Sequence, residues 1–154
     1  MTVTNPSEQP TLLASLVRRD HLRVLGLLDE AAVSTATPGV QRDLTRQVVE
    51  AVTAHTYAEV AVVHPAAREL LGPDTEERLI DDNVHLRHLV LEAPSDPNGR
   101  EVWLEDLRRL VEAHCHALDD EVLPAMASHS PGQMATLGYR FAAVLEGAPR
   151  RPIP

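Results

Sequence analysis

Apolar residues recur at intervals of three and four along nearly the whole chain, the spacing that lines one face of an α-helix. Leu13, Val17, His21, Val24 and Leu28 form the first stripe and predict a helix over 11–33, ended by the Pro- and Gly-containing stretch Ser34–Gly39. A second stripe, Leu44, Val48, Val52, His55, Glu59 and Val62, predicts a helix from about Gln41 to Pro65 that can run on to Leu71, with Gly72 and Pro73 as its stop. Asp74-Thr-Glu-Glu supplies a cap and first-turn acids for a third helix ending near Ala93. The run from Ala93 to Gly99, Ala-Pro-Ser-Asp-Pro-Asn-Gly, is the strongest turn signal in the chain. A fourth helix follows from Arg100 to Met126, with Val102, Trp103, Leu107, Leu110, Val111, His114, Leu118 and Ala125 on its stripe. Ser130-Pro131-Gly132 opens a short fifth helix to about Leu145. No segment alternates with the period of two that marks strands. Short loops make successive helices antiparallel, so the expected fold is all-α, an up-down-up-down four-helix bundle over 11–146 with a short C-terminal fifth helix. Residues 1–10 read as a loose tail and 147–154 as a proline-rich one.

With 154 residues the chain has the length of one domain and can bury a real core. Fourteen cationic against 23 acidic side chains give a formal charge of -9 spread along the chain, which repels phosphate backbones and anionic membrane surfaces. Neither nucleic acid nor a membrane is therefore an expected partner. The lone Cys115 excludes an internal disulfide framework, and residues 1–10 lack a basic region followed by an apolar stretch, so a cytoplasmic location is the default. Aromatics are only 3%, too few for a stacking surface, whereas eight histidines are more than a chain of this size usually carries.

Three of those histidines, His21, His55 and His114, fall inside apolar stripes on three different helices. Burying three imidazoles in a small core costs desolvation unless something compensates, and a shared metal ion does so for all of them at once. Glu59 stands four residues after His55 on the same stripe, so both project to one point, and a carboxylate among leucines and valines needs a cation. Imidazole and carboxylate ligands inside a helical bundle suit iron, manganese or zinc, with non-haem iron favoured because open positions in such sites bind small oxidants.

These residues carry a resemblance to the hemerythrin-like proteins of the HHE cation-binding family, extending over nearly the whole chain. Asp20-His21 is similar to the acid-His pair of that family's first helix, and His55, Glu59 and Pro65 fit its H-x-x-x-E motif with a Pro ten residues after the His. His114 and Pro124 keep the same offset, and Leu137-Gly138-Tyr-Arg-Phe-Ala-Ala and the run from Ala148 to Pro154 resemble the C-termini of bacterial members. The resemblance implies a four-helix bundle holding two irons, used for dioxygen, nitric oxide or peroxide chemistry or for iron sensing.

Two departures bear on the ligand set. In the fourth helix Leu118 stands where the family has an acid four residues after the His. Asp119 reproduces the i+5 spacing of the oxygen carriers, which needs a local bulge because five residues carry a regular helix about 500° round. Glu121, at i+7, stays on the His114 face of an unbroken helix. In the third helix the family has an inward His, but the apolar arc centres close to Asn83 and leaves His85 and His88 outward. Either Asn83 takes the ligand position with a weak amide oxygen, or the helix is rotated and His85 serves. The full expected set is thus His21, His55 and Glu59 around one metal, with His114, Asp119 or Glu121, and Asn83 or His85 around a poorer second. His64, His116 and His129 read as surface residues, Tyr57 as packing, and Cys115 as a small semi-buried side chain. The expected activity is binding, sensing or turnover of O2, NO or peroxide. The rival is a structural or interaction bundle descended from such proteins in which the same side chains form a metal-free hydrogen-bond network.

Overall fold

A computed structural model of the chain describes residues 11–33, 35, 37–95 and 97–152; the N-terminal tail expected over 1–10 lies outside them. The elements are α1 (Leu12–Val33), α2 (Pro38–Ala58), a π-helical turn (Glu59–Val63), α3 (His64–Leu71), α4 (Pro73–Leu91), α5 (Arg100–His116), a π-helical segment (Ala117–Val122), α6 (Leu123–His129), a 3-10 turn (Pro131–Gln133) and α7 (Met134–Gly147). The fold is an all-α bundle with a short C-terminal helix, and no strand occurs among the described residues. Among the described residues no helix is long and apolar enough to cross a membrane.

Four long rods make the bundle: α1, α2 continuing through its π turn into α3, α4, and α5 continuing through its π segment into α6. They neighbour one another in a ring, α1 to α2, α2 to α4, α4 to α5 and α5 to α1, while α7 lies across α1 and α2. Helix α2 starts three residues earlier than the spacing predicts. Pro38 occupies its first turn, where a missing N–H costs nothing and the fixed φ is already helical. Gly72 ends α3 with φ of 101°, a conformation that favours glycine. Between α4 and α5 the described residues 92–95 and 97–99 form turns and bends, as expected from the prolines and glycine there.

Two prolines account for the two π stretches. Pro65 and Pro124 each follow one of them by two residues, inside α3 and α6. A proline ring clashes with the carbonyl four residues back and offers that carbonyl no N–H, and a turn closed over five residues gives the ring room. Each π stretch shifts the phase of the rod beyond it.

The apolar core is split into two clusters. One holds Leu13, Val17, Val62, Val63, Leu79, Leu118, Met126 and Phe141, and the other Val24, Leu28, Val48, Val52, Leu86, Trp103, Leu107 and Val111. Along every rod the break between them is a polar stretch: Asp20-His21 between Val17 and Val24, His55 and Glu59 between Val52 and Val62, Asn83 between Leu79 and Leu86, His114 between Val111 and Leu118. All of these polar residues are buried. The bundle is therefore two greasy halves with one polar layer at mid-height. Helix α7 roofs it, because Gly138 lets the backbones touch: a β-carbon there would stand 2.8 Å from Leu12 Cγ and 2.9 Å from Leu13 N. That approach sets Phe141 edge-on to the His55 ring at 6.2 Å between centroids.

Candidate metal centre

Glu59 is fully buried at the middle of the polar layer. Its Oε1 lies 2.8 Å from His55 Nε2, 3.0 Å from His114 Nε2 and 3.7 Å from His21 Nε2. The three rings pack with centroids 4.7, 5.6 and 5.8 Å apart. One donor atom from each of His21, His55, Glu59 and His114 falls within 4.8 Å of all the others, so this group could hold a metal ion. Metal–nitrogen bonds of roughly 2.0–2.1 Å place the donors of one ion about 3 to 4 Å apart, a small side-chain adjustment from this arrangement. Two of the inward atoms, His21 Nε2 and His55 Nε2, are buried with no hydrogen-bond partner, the second being close to Glu59 in distance but not in direction. Unpaired buried nitrogens converging on a carboxylate are costly in a closed core and useful around a cation.

Two acids turn those nitrogens inward. Asp20 Oδ2 lies 2.7 Å from His55 Nδ1, and Asp119 Oδ2 lies 3.0 Å from His21 Nδ1. A carboxylate that accepts a hydrogen bond from one ring N–H fixes the proton there and, in a neutral ring, leaves the other nitrogen as a lone-pair donor, the arrangement found behind metal-binding histidines. Asp20 is itself held by Arg23, whose Nε donates to Oδ1 at 2.8 Å. Burial alone would push the Asp20 carboxyl up, but the hydrogen bond and charge of His55 and those of Arg23 hold it below its ordinary value.

The expected i+5 relation of His114 and Asp119 spans the π segment, which supplies the bulge that spacing requires. Asp119 thereby reaches His21 from behind rather than joining the four converging donors. Glu121, the alternative in an unbroken helix, is exposed. On α4, Asn83 is buried and His85 and His88 are exposed. His85 is therefore corrected to a solvent-facing residue, since the helix sits in the phase that its apolar arc indicates. Asn83 Nδ2 donates to Glu59 Oε2 at 3.1 Å and faces His64 Nε2 at 3.2 Å.

His64 is a second correction: expected at the surface, it is buried beside Asn83. The π turn is the cause. Glu59 and His64 are five apart, a spacing that diverges on an α-helix and converges on a turn closed over five residues. Asp20, named from the sequence only as the acid before His21, was given no place in the site, and it stands behind the His55 ring on the neighbouring helix. Cys115 is buried, while His116 pairs with Asp120 at the surface and His129 is exposed.

Electrostatically the layer favours charge. Burial opposes it in every member, yet the Asp119, Cys115 and Glu59 contacts push His21 up to about 12, and Glu59 with Asp20 raises His55 against burial and the His21 charge. Glu59 is held well below the carboxylate range: burial would raise it, and the charges of His114 and His55 overcome that. His64 goes the other way, lowered by burial and by His114 against the pull of Glu59, which suits a neutral ring accepting from Asn83. In the chelator-treated protein the His21 and His55 contribution is complete below the ordinary value of 6.5 and is lost at higher pH, for His21 as pH rises toward about 12. The Asp20 and Glu59 contribution is in place above their ordinary 3.8 and 4.5 and is lost on acidification. His64 subtracts on the acid side of 6.5. Thermal melts should therefore show the chelator-treated protein losing stability as pH rises above about 6.5, and the metal-loaded protein holding or gaining it, because metal ligation needs neutral imidazoles. Parallel pH profiles with and without metal would contradict this.

A small cavity adjoins the three rings. It measures about 10 Å3, room for the centre of one water-sized molecule, and Val24, Val52, Leu86 and Val111 line the rest of it. Comparison of the chain with family models, with curated proteins and with solved structures finds no match.

Proposed function

We propose that the protein is a hemerythrin-like metal protein whose polar layer holds one ion through His21, His55, His114 and Glu59, non-haem iron in first place and manganese or zinc as the other candidates, and that its ligand is O2, NO or peroxide. The observation that carries this reading is the pair of buried, unpartnered Nε2 atoms, each backed by a carboxylate and close to Glu59. Two nitrogen donors of that kind beside a third imidazole and a carboxylate match the donor chemistry of iron, manganese and zinc. A bound iron ion would supply a redox change and an open coordination position.

The chain's own side chains do the rest. Asp20 and Asp119 hold the protons of His55 and His21 at Nδ1. The aliphatic wall of the small cavity keeps bulk water from the rings and limits a ligand to about the size of a diatomic. Asn83 donates an amide N–H to Glu59 Oε2 and brings no imidazole or carboxylate that would hold a second cation. The reading is tested by purifying the protein aerobically without chelator and measuring iron, manganese and zinc per chain. One ion per chain, with iron reacting with NO or O2, is expected. Only traces of all three metals, before and after reconstitution, would overturn it.

Asp20→Asn tests the positioning role of that carboxylate. The amide keeps the shape and loses the charge that holds the Nδ1 proton, so metal affinity should fall by about 10- to 100-fold in a chelator competition. Unchanged affinity would mean that Asp20 serves the fold alone.

A further inference from the structure

Helices α1 and α7 touch where Gly138 meets Leu12 and Leu13, and beyond that contact they leave a cleft of about 500 Å3 between residues 16–23 and 141–150, open to solvent on its outer side. The function proposed above does not use it. Leu16, Ala142 and Leu145 give it an aliphatic wall, and the buried Phe141 lies at its inner end. Three arginines, Arg19, Arg23 and Arg150, line the same cleft with two acids, Asp20 and Glu146. Arg23 Nε is engaged by Asp20, whereas Arg19, Arg150 and Glu146 form no ion pair among the described residues. In a chain of net charge -9, a concave surface with more cations than acids stands against the general field and concentrates anions.

We infer that this cleft binds a small organic monocarboxylate, its carboxylate held by Arg19 and Arg150 and its apolar tail laid along Leu16, Ala142 and Leu145. A guanidinium group pairs with a carboxylate through two parallel N–H donors, which fixes the head of the ligand in direction as well as in charge. The aliphatic wall favours an organic anion over a hydrated inorganic one, and a mostly apolar concavity with a few polar groups is the usual form of a small-molecule site. The two acids set the valence. Asp20 already offsets Arg23, and Glu146 offsets half of the charge on Arg19 and Arg150, so a single negative charge balances the cleft and a second one is repelled.

The test is a titration of the full chain with hexanoate at low ionic strength, followed by NMR of the methyl and arginine Nε–H signals. Saturable shifts are expected at Leu16, Ala142, Leu145, Arg19 and Arg150, while hexanol and hexylammonium produce none that saturate, and adipate, the dianion of the same length, binds more weakly than hexanoate. Arg19→Gln combined with Arg150→Gln should weaken hexanoate binding by about tenfold or more, the loss of charge-assisted hydrogen bonds. Both arginines are exposed, so the melting temperature of that variant should match the parent's. Glu146→Gln should narrow the gap between adipate and hexanoate by removing the charge that repels the second carboxylate. Shifts that never saturate, an equal response to hexanol, hexanoate binding that ignores the arginine substitutions, or a gap that Glu146→Gln leaves unchanged would overturn the inference. None of these readings depends on whether the polar layer holds a metal ion, so the proposed function stands or falls separately.

Discussion

Glu59→Leu should abolish metal retention and with it the metal's contribution to stability. Its carboxylate has no solvent exposure and touches all three imidazoles, so it is the one negative charge inside the donor set. With metal supplied at about a thousand times its dissociation constant, the parent gains roughly 4 kcal/mol that the variant cannot. Without metal the variant still loses, because leucine leaves the Asn83 N–H and the His114 ring without their partner and removes the charge that supports protonated His21 and His55. Removing one member of a buried ion pair costs about 3–5 kcal/mol. The expected record is thus a parent that melts above Glu59→Leu in both conditions, with a gap that metal widens. A gap that metal does not widen would contradict the metal centre and favour a bundle whose polar layer is only a hydrogen-bond network.

Asn83→His should convert a one-ion centre into one that takes two. In the parent, Glu59 Oε2 and His64 Nε2 both face the Asn83 amide nitrogen, a donor that satisfies the oxygen and the ring but binds no cation. An imidazole at that place offers a lone pair beside two groups that already point there. Calorimetric titration should show a second ion bound at least tenfold more tightly than in the parent, about 1.4 kcal/mol, and elemental analysis should show stoichiometry rising above one. Two equally tight ions in the parent, or a stoichiometry that Asn83→His does not change, would contradict the role given to Asn83.

Much of this arrangement could be read from spacing alone, and the misses share a physical origin. The stripes on the first, second and fourth helices place His21, His55, Glu59 and His114 inward, and they are inward. The apolar arc of the third helix centres on Asn83, and Asn83 is its buried polar residue. Errors begin where the advance of about 100° per residue stops holding. His64 seems to face outward because an α-helix is assumed through Val63, and the π turn brings it in. Glu121 shares the His114 face only on a helix without the π segment. Pro65 and Pro124 carried the signal, since a proline deep in a long apolar stripe calls for a local widening. The role of Asp20 was hidden for a different reason: one position off the stripe, it serves as the partner of a ring on the neighbouring helix, which periodicity along one helix does not register.

The two widened turns also change where this bundle tolerates a change of length. Loops ordinarily absorb insertions and deletions, and helices do not, because one residue more or less rotates everything beyond it. Each π turn here already contains such an extra residue in the middle of a rod. Losing one residue between Val60 and Val63 would restore ordinary winding, keep the rod intact, and swing His64 off the face it shares with Glu59. Losing one between Ala117 and Val122 would do the same to Asp119 behind His21. The lengths of these two stretches, more than those of the loops, decide which side chains meet at the centre.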